Sequence, residues 1–88
     1  MTTREQLLCR TLLDALHDLD GGQYIDVQIH ADVNVRLENK GKPRCSVAEI
    51  EGAIAICDTR RWIIGVPGKG AKTKWNISDR GRADRLDL

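Results

Sequence analysis

Apolar residues in the first quarter of the chain fall at Leu8, Leu12, Ala15, Leu16 and Leu19, the three-and-four spacing that sets one stripe of a helix against a core. Thr3-Arg4-Glu5-Gln6 ahead of them has the form of a capping box, and Gly21-Gly22 behind them is a C-cap signal. The pattern therefore predicts a first helix between those two marks. It then changes. From Ile25 to Leu37 every odd position is apolar (Ile25, Val27, Ile29, Ala31, Val33, Val35, Leu37) and every even one polar, which by periodicity alone is a half-buried strand. Yet Ile25, Ile29, Val33 and Leu37 also lie four apart, within one helical face, and Asp26 could serve as an N-cap. Glu38 to Arg44, with Gly41 and Pro43 among four charges, is a loop on either reading.

Ser46-Val47-Ala48-Glu49 is a second capping-box form, and Val47, Ile50, Ile54 and Cys57 follow as a helical stripe that runs out near Arg60-Arg61. Trp62-Ile63-Ile64-Gly65-Val66 and Lys74-Trp75-Asn76-Ile77 then read as strands, and residues 67–73 between them supply turn residues, a hairpin with a long basic tip. The ending Trp75-Asn76-Ile77-Ser78-Asp79-Arg80-Gly81-Arg82 resembles the second wing strand and W-x-I-T-D-x-G-R ending of MarR-like, PadR-like and related small bacterial winged-helix proteins, with Ser78 in place of the Thr. That resemblance is sharp over about ten residues. It implies a single winged-helix domain over residues 1–88, mostly α with a small β-hairpin (α+β). Three helices precede a two-stranded wing, and a short C-terminal helical turn can follow it. In that order the segment after Asp26 is a second helix rather than a strand.

Composition narrows the function. Eighty-eight residues with 41% apolar content, no Phe and three aromatics build a small core of Leu, Ile and Val and leave no room for a separate catalytic domain. No apolar run is long enough to span a bilayer, and Met-Thr-Thr-Arg-Glu lacks the order of a signal peptide, so a cytoplasmic protein without membrane contact is expected. Cys9, Cys45 and Cys57 are odd in number and show no C-x-x-C, which fits reduced thiols; their spacing to His17 and His30 matches no zinc pattern. Residues 65–73 fail as a P-loop because Ala71 separates Gly70 from Lys72. Cys9 and His17 are two turns apart on the first helix, too far for a nucleophile and its base, and Cys9 reads as a small core or boundary side chain. His30 reads as an exposed helix residue, and Asp14, Asp18 and Asp20 as a solvated face. No enzyme activity, metal or cofactor is expected.

Charge supplies the functional argument. The net charge of +1 divides into −4 over residues 1–35 and +5 over residues 36–88. A basic wing half is an electrostatic footprint for nucleic-acid phosphates, with Lys69, Lys72 and Lys74 on the wing and Arg60 and Arg61 at its root. DNA is thus the first candidate partner, in a regulatory role that the resemblance implies. Base reading is another matter. Opposite the third helix's core stripe lie Ala48, Gly52, Ala55, Ile56 and Thr59, flanked by Glu49, Glu51 and Asp58, with no Arg, Lys, Asn or Gln to reach a base edge. Small residues spaced along that face suit close approach of another surface. The second candidate function is therefore a protein-interaction or homodimerisation module that uses it.

Overall fold

The computed structural model describes residues 1–88, apart from the side chain of Ala71. Helices α1 (Thr3–Asp18), α2 (Asp26–Asn39) and α3 (Val47–Thr59) precede strands β1 (Ile63–Pro67) and β2 (Thr73–Ile77), and α4 (Asp79–Asp84) with a 3-10 turn (Arg85–Asp87) closes the chain. This is the α+β winged-helix layout. The strands form an antiparallel hairpin with Ile63 opposite Ile77 and Pro67 opposite Thr73. Tyr24 adds a single bridge to Trp75, so the sheet reads Tyr24, β2, β1 across.

Helices α1, α3 and α4 each start where a polar side chain accepts from an amide of the first turn. Ser46 caps α3 with the reciprocal bonds of a capping box: the Glu49 amide donates to Ser46 Oγ and the Ser46 amide to Glu49 Oε1, both at 3.1 Å. At α1 the box sits one residue earlier than its sequence form suggests. Thr2 is the N-cap and Glu5, rather than Gln6, is its partner. At α2 the N-cap is Ile25, whose amide donates to Gln28 Oε1, and Asp26 is the first helical residue instead of the cap.

The alternating segment is helical because only alternate members of its apolar set find the core. Ile29, Val33 and Leu37 are fully buried, whereas Val27 is 72% and Val35 57% exposed. A strand would have buried all the odd positions together. On α3 the buried stripe is Ile50, Ala53, Ile54 and Cys57; Val47, expected in that stripe, is 58% exposed on the first turn, and Ala53 takes the inward place. These stripes meet Leu8, Leu12, Leu13 and Leu16 of α1 in one cluster that Trp62, Ile63 and Ile77 extend under the hairpin. Each such large side chain contributes about 1.5–3 kcal/mol by leaving water. Among the described residues, no helix is long and apolar enough to cross a membrane.

Two turns aim the wing and the start of α3. At the end of α3, Arg61 takes a positive φ of 60°, which lets the Trp62 amide reach back to the Cys57 carbonyl at 2.9 Å. The chain leaves α3 directly into β1. At the end of α2, Gly41 has a φ of 68° and the Lys42 amide bonds the Leu37 carbonyl at 2.8 Å. Asn34, buried on α2, then holds the loop: its Oδ1 accepts from the Cys45 amide at 2.7 Å and its Nδ2 donates to the Cys45 carbonyl at 3.3 Å. His30 Nε2 bonds the same carbonyl at 2.8 Å, which makes His30 a buried-side anchor of the loop and not the free surface residue that its polarity suggested.

Candidate nucleic-acid interface

The wing is fixed to the body through Trp75. Its indole Nε1 donates to Asp26 Oδ1 at 2.7 Å, its backbone pairs with Tyr24 in both directions, and the Tyr24 hydroxyl donates to Asp32 at 3.0 Å. That last bond pushes the Tyr24 hydroxyl above its ordinary pKa, with burial adding to the effect. In a two-stranded hairpin, alternate residues face opposite sides. Ile63 and Ile77 turn to the core, whereas Ile64, Val66 and Lys74 lie on the other face and are exposed.

Lys69, Lys72 and Lys74 are all exposed, and among the described residues none of them makes an ion pair. Lys72 borders the groove between wing and α2, together with Ile25, Asp26, Val27, Thr73 and Trp75. Lys74 lines an open depression together with Gly21, Gly22 and Gln23 of the turn that leads to α2. Arg60 and Arg61 form a separate group at the root. Arg60 stacks 5.5 Å from the Trp62 ring centroid, a geometry in which the ring's negative face attracts the guanidinium. Lys74 pairs with Val66, five residues beyond Arg61, so the two groups are separated by roughly 16 Å of strand. The five basic residues make two clusters along one hairpin and not one patch.

Two further cations lie outside the expected set. Lys40 and Lys42, exposed in the turn between α2 and α3, are without ion pairs among the described residues, whereas Arg44 beside them bonds Glu38 at 3.3 Å. Their signal in the sequence was the run of charges at residues 38–44, which reads only as a loop until α2 is known to end there.

The outer face of α3 is as the sequence places it. Ala48, Gly52, Ala55 and Thr59 are exposed, Ile56 is half-buried against the core, and Glu51 and Asp58 are exposed beside them. A Cβ built on Gly52 would meet open space. Glu49 is less available than its neighbours, because Arg4 binds it at 3.0 Å while also donating to the Pro43 and Arg44 carbonyls. The Arg4 bond, reinforced by the Ser46 amide, holds the Glu49 carboxyl below its ordinary pKa.

The acidic face of α1 is more structured than expected. Asp14 accepts from Arg10 at 3.0 Å and Arg85 at 2.7 Å, which ties the C-terminal turn to α1, and Asp18 pairs with Arg36 at 2.9 Å. All three cysteines are free thiols and buried. Among the described residues, no group of three or more His, Cys, Asp or Glu side chains is placed to hold a metal ion.

No family model matches the chain, and no curated protein matches it in sequence. Among solved structures, that of a transcriptional regulator from Clostridium thermocellum is similar, with a TM-score of 0.73 at 16% sequence identity, covering 91% of this chain and 74% of that one. At this identity the likeness shows a shared fold, and the resemblance to MarR-like and PadR-like proteins stays with the wing ending.

Proposed function

We propose that this chain is a non-enzymatic DNA-binding module with a regulatory role, held to duplex DNA mainly by phosphate contacts from its wing. The observation that carries this reading is the set of exposed lysines at positions 69, 72 and 74, unpaired on a hairpin that Trp75 fixes to the body. The fold shared with a transcriptional regulator supports it. Arg60 and Arg61 add a second contact point nearer the body. Because α3 carries no Arg, Lys, Asn or Gln to reach a base edge, affinity should depend little on sequence and strongly on salt.

Binding to random duplex DNA across a salt series is the test. Replacing Lys69, Lys72 and Lys74 by Ala should weaken binding to all sequences alike and flatten the salt dependence by about 0.9 in log–log slope for each phosphate no longer neutralised. The three side chains are exposed, so the melting temperature should stay within a few degrees of wild type. Full affinity in the triple variant would remove the wing from the mechanism.

A second reading rests on the open space over Gly52. The face formed by Ala48, Gly52, Ala55, Ile56 and Thr59 would then receive a protein partner or a second copy of the chain. Gly52→Arg fills that space with a bulky charge, and replacing an exposed helical Gly should raise monomer stability by about 1 kcal/mol. Sedimentation and DNA binding of the variant separate the readings. Loss of association at undiminished stability supports the interface, and a wild type that is monomeric, finds no partner in a pull-down and binds DNA undiminished as Gly52→Arg eliminates it.

A further inference from the structure

The turn between α2 and α3 carries cations that its own carboxylates do not neutralise. Arg44 bonds Glu38 at 3.3 Å and Arg4 reaches across from α1 to bond Glu49 at 3.0 Å, so both acidic side chains of residues 38–49 are engaged. Lys40 and Lys42 are exposed and, among the described residues, make no ion pair. The backbone beneath them is held firmly. The Lys40 amide bonds the Arg36 and Leu37 carbonyls at 3.1 Å, and the Lys42 amide bonds the Leu37 carbonyl at 2.8 Å. Arg4 donates to the Pro43 and Arg44 carbonyls at 3.1 Å, while Asn34 and His30 fix Cys45.

We propose that Lys40 and Lys42 form a second phosphate-contact site, so that the chain grips duplex DNA at both ends of α3. The site rests on the reading of this chain as a DNA-binding module. Helix α3 has 13 residues and no cation among them. At 1.5 Å per residue it spans about 20 Å. Arg60 is its C-cap and Arg61 follows, whereas Lys40 and Lys42 lie in the turn that leads to its N-cap, Ser46. The helix thus separates the two cation groups by more than the roughly 12 Å width of the major groove. Laid across the mouth of the groove, α3 brings one group to each phosphate wall, and contact is confined to its ends. Because the turn is already ordered, phosphate binding has only the two lysine side chains to immobilise.

A cation near the carbonyl end of α2 also favours the dipole of that helix, a role independent of DNA. The two roles separate in binding of the full chain to random duplex DNA, followed from about 50 to about 200 mM salt beside thermal melts. Replacing Lys40 and Lys42 together by Ala should lower affinity and make the log–log salt slope shallower by about 1.8, at about 0.9 for each phosphate released. The deficit should therefore shrink roughly twelvefold over that change in salt. In log Kd it should add to the deficit of the Lys69, Lys72 and Lys74 triple variant, since the two groups share no phosphate. Lys40→Arg combined with Lys42→Arg should bind as wild type does, because a guanidinium also serves a phosphate. Wild-type affinity and slope in the Ala variant, beside a weakened wing variant, would overturn the turn site and leave the wing reading standing. A loss that the Arg variant shares, or one explained by a lower melting temperature, would reduce Lys40 and Lys42 to a role in the fold. A wild type without salt-dependent binding to duplex DNA would sink both readings.

Discussion

Gly81→Ala should destabilise the protein by about 3 kcal/mol or more, as overfilling a close-packed contact does. In a chain of this size that lowers the melting temperature by on the order of 10–20 °C. Gly81 is buried within α4, and a Cβ there would lie 2.1 Å from the Trp62 carbonyl oxygen and 3.0 Å from Ile77 Cγ1. The carbonyl cannot move cheaply. It accepts from the Ser78 amide at 2.9 Å, while the Ser78 hydroxyl donates to the Arg61 carbonyl at 2.7 Å and accepts from the Gly81 amide at 3.0 Å. Relief of the clash would thus open the joint where α3 turns into the wing. Gly52→Ala is the matched control, because the same change in α3 meets open space and should stabilise by about 1 kcal/mol from helix propensity alone. Thermal melts of the two variants should move in opposite directions. A Gly81→Ala protein as stable as wild type would show that α4 does not rest on Trp62.

That joint explains why the wing ending was readable from the sequence. Ile77 is buried in the core, Ser78 caps α4 and pins Arg61, Gly81 permits the contact with Trp62, and Arg82 bonds Asp79 at 3.0 Å. Trp75 holds the wing to Asp26. Each residue of the pattern has a local task in closing the hairpin on the body, so the pattern announces a fold and says little about a ligand. The α1 and α3 stripes were legible for a related reason: capping side chains and three-and-four spacing are local signals.

What the sequence concealed depends on packing between elements. The odd positions of α2 are all apolar, but Val27, Ala31 and Val35 face outward, and no count along the chain distinguishes them from Ile29, Val33 and Leu37. Val47 looked like the head of the α3 stripe because it is large and apolar, while Ala53, which carries that stripe inward, passed as a neutral helix former. Likewise the exposed cations of the wing could be named from sequence, but not their division into two clusters, nor which of the chain's other cations are occupied by carboxylates. Arg4, Arg10, Arg36 and Arg85 are engaged in ion pairs with Glu49, Asp14 and Asp18, whereas Lys40 and Lys42 have none among the described residues.

Asn34→Leu should cost roughly 3 kcal/mol, even though it replaces a polar side chain by an apolar one of similar size in the interior. Asn34 supplies both halves of a backbone-like pair to Cys45, accepting from its amide and donating to its carbonyl. Leucine leaves the buried amide with no partner. The carbonyl keeps His30, whose Nε2 must carry the proton to donate to it, so the loss falls mainly on the amide. The cost of an unsatisfied buried donor, about 1–3 kcal/mol, adds to the loss of the hydrogen bonds themselves. Cys45 directly precedes Ser46, the N-cap of α3, so the damage should also be positional. Amide exchange should accelerate across residues 44–50 before it does in α1, and circular dichroism should show little loss of helix until the melting transition. Equal stability in the variant would mean that water replaces Asn34 at the Cys45 amide and that α3 holds its place through the core stripe and the Arg4–Glu49 pair alone.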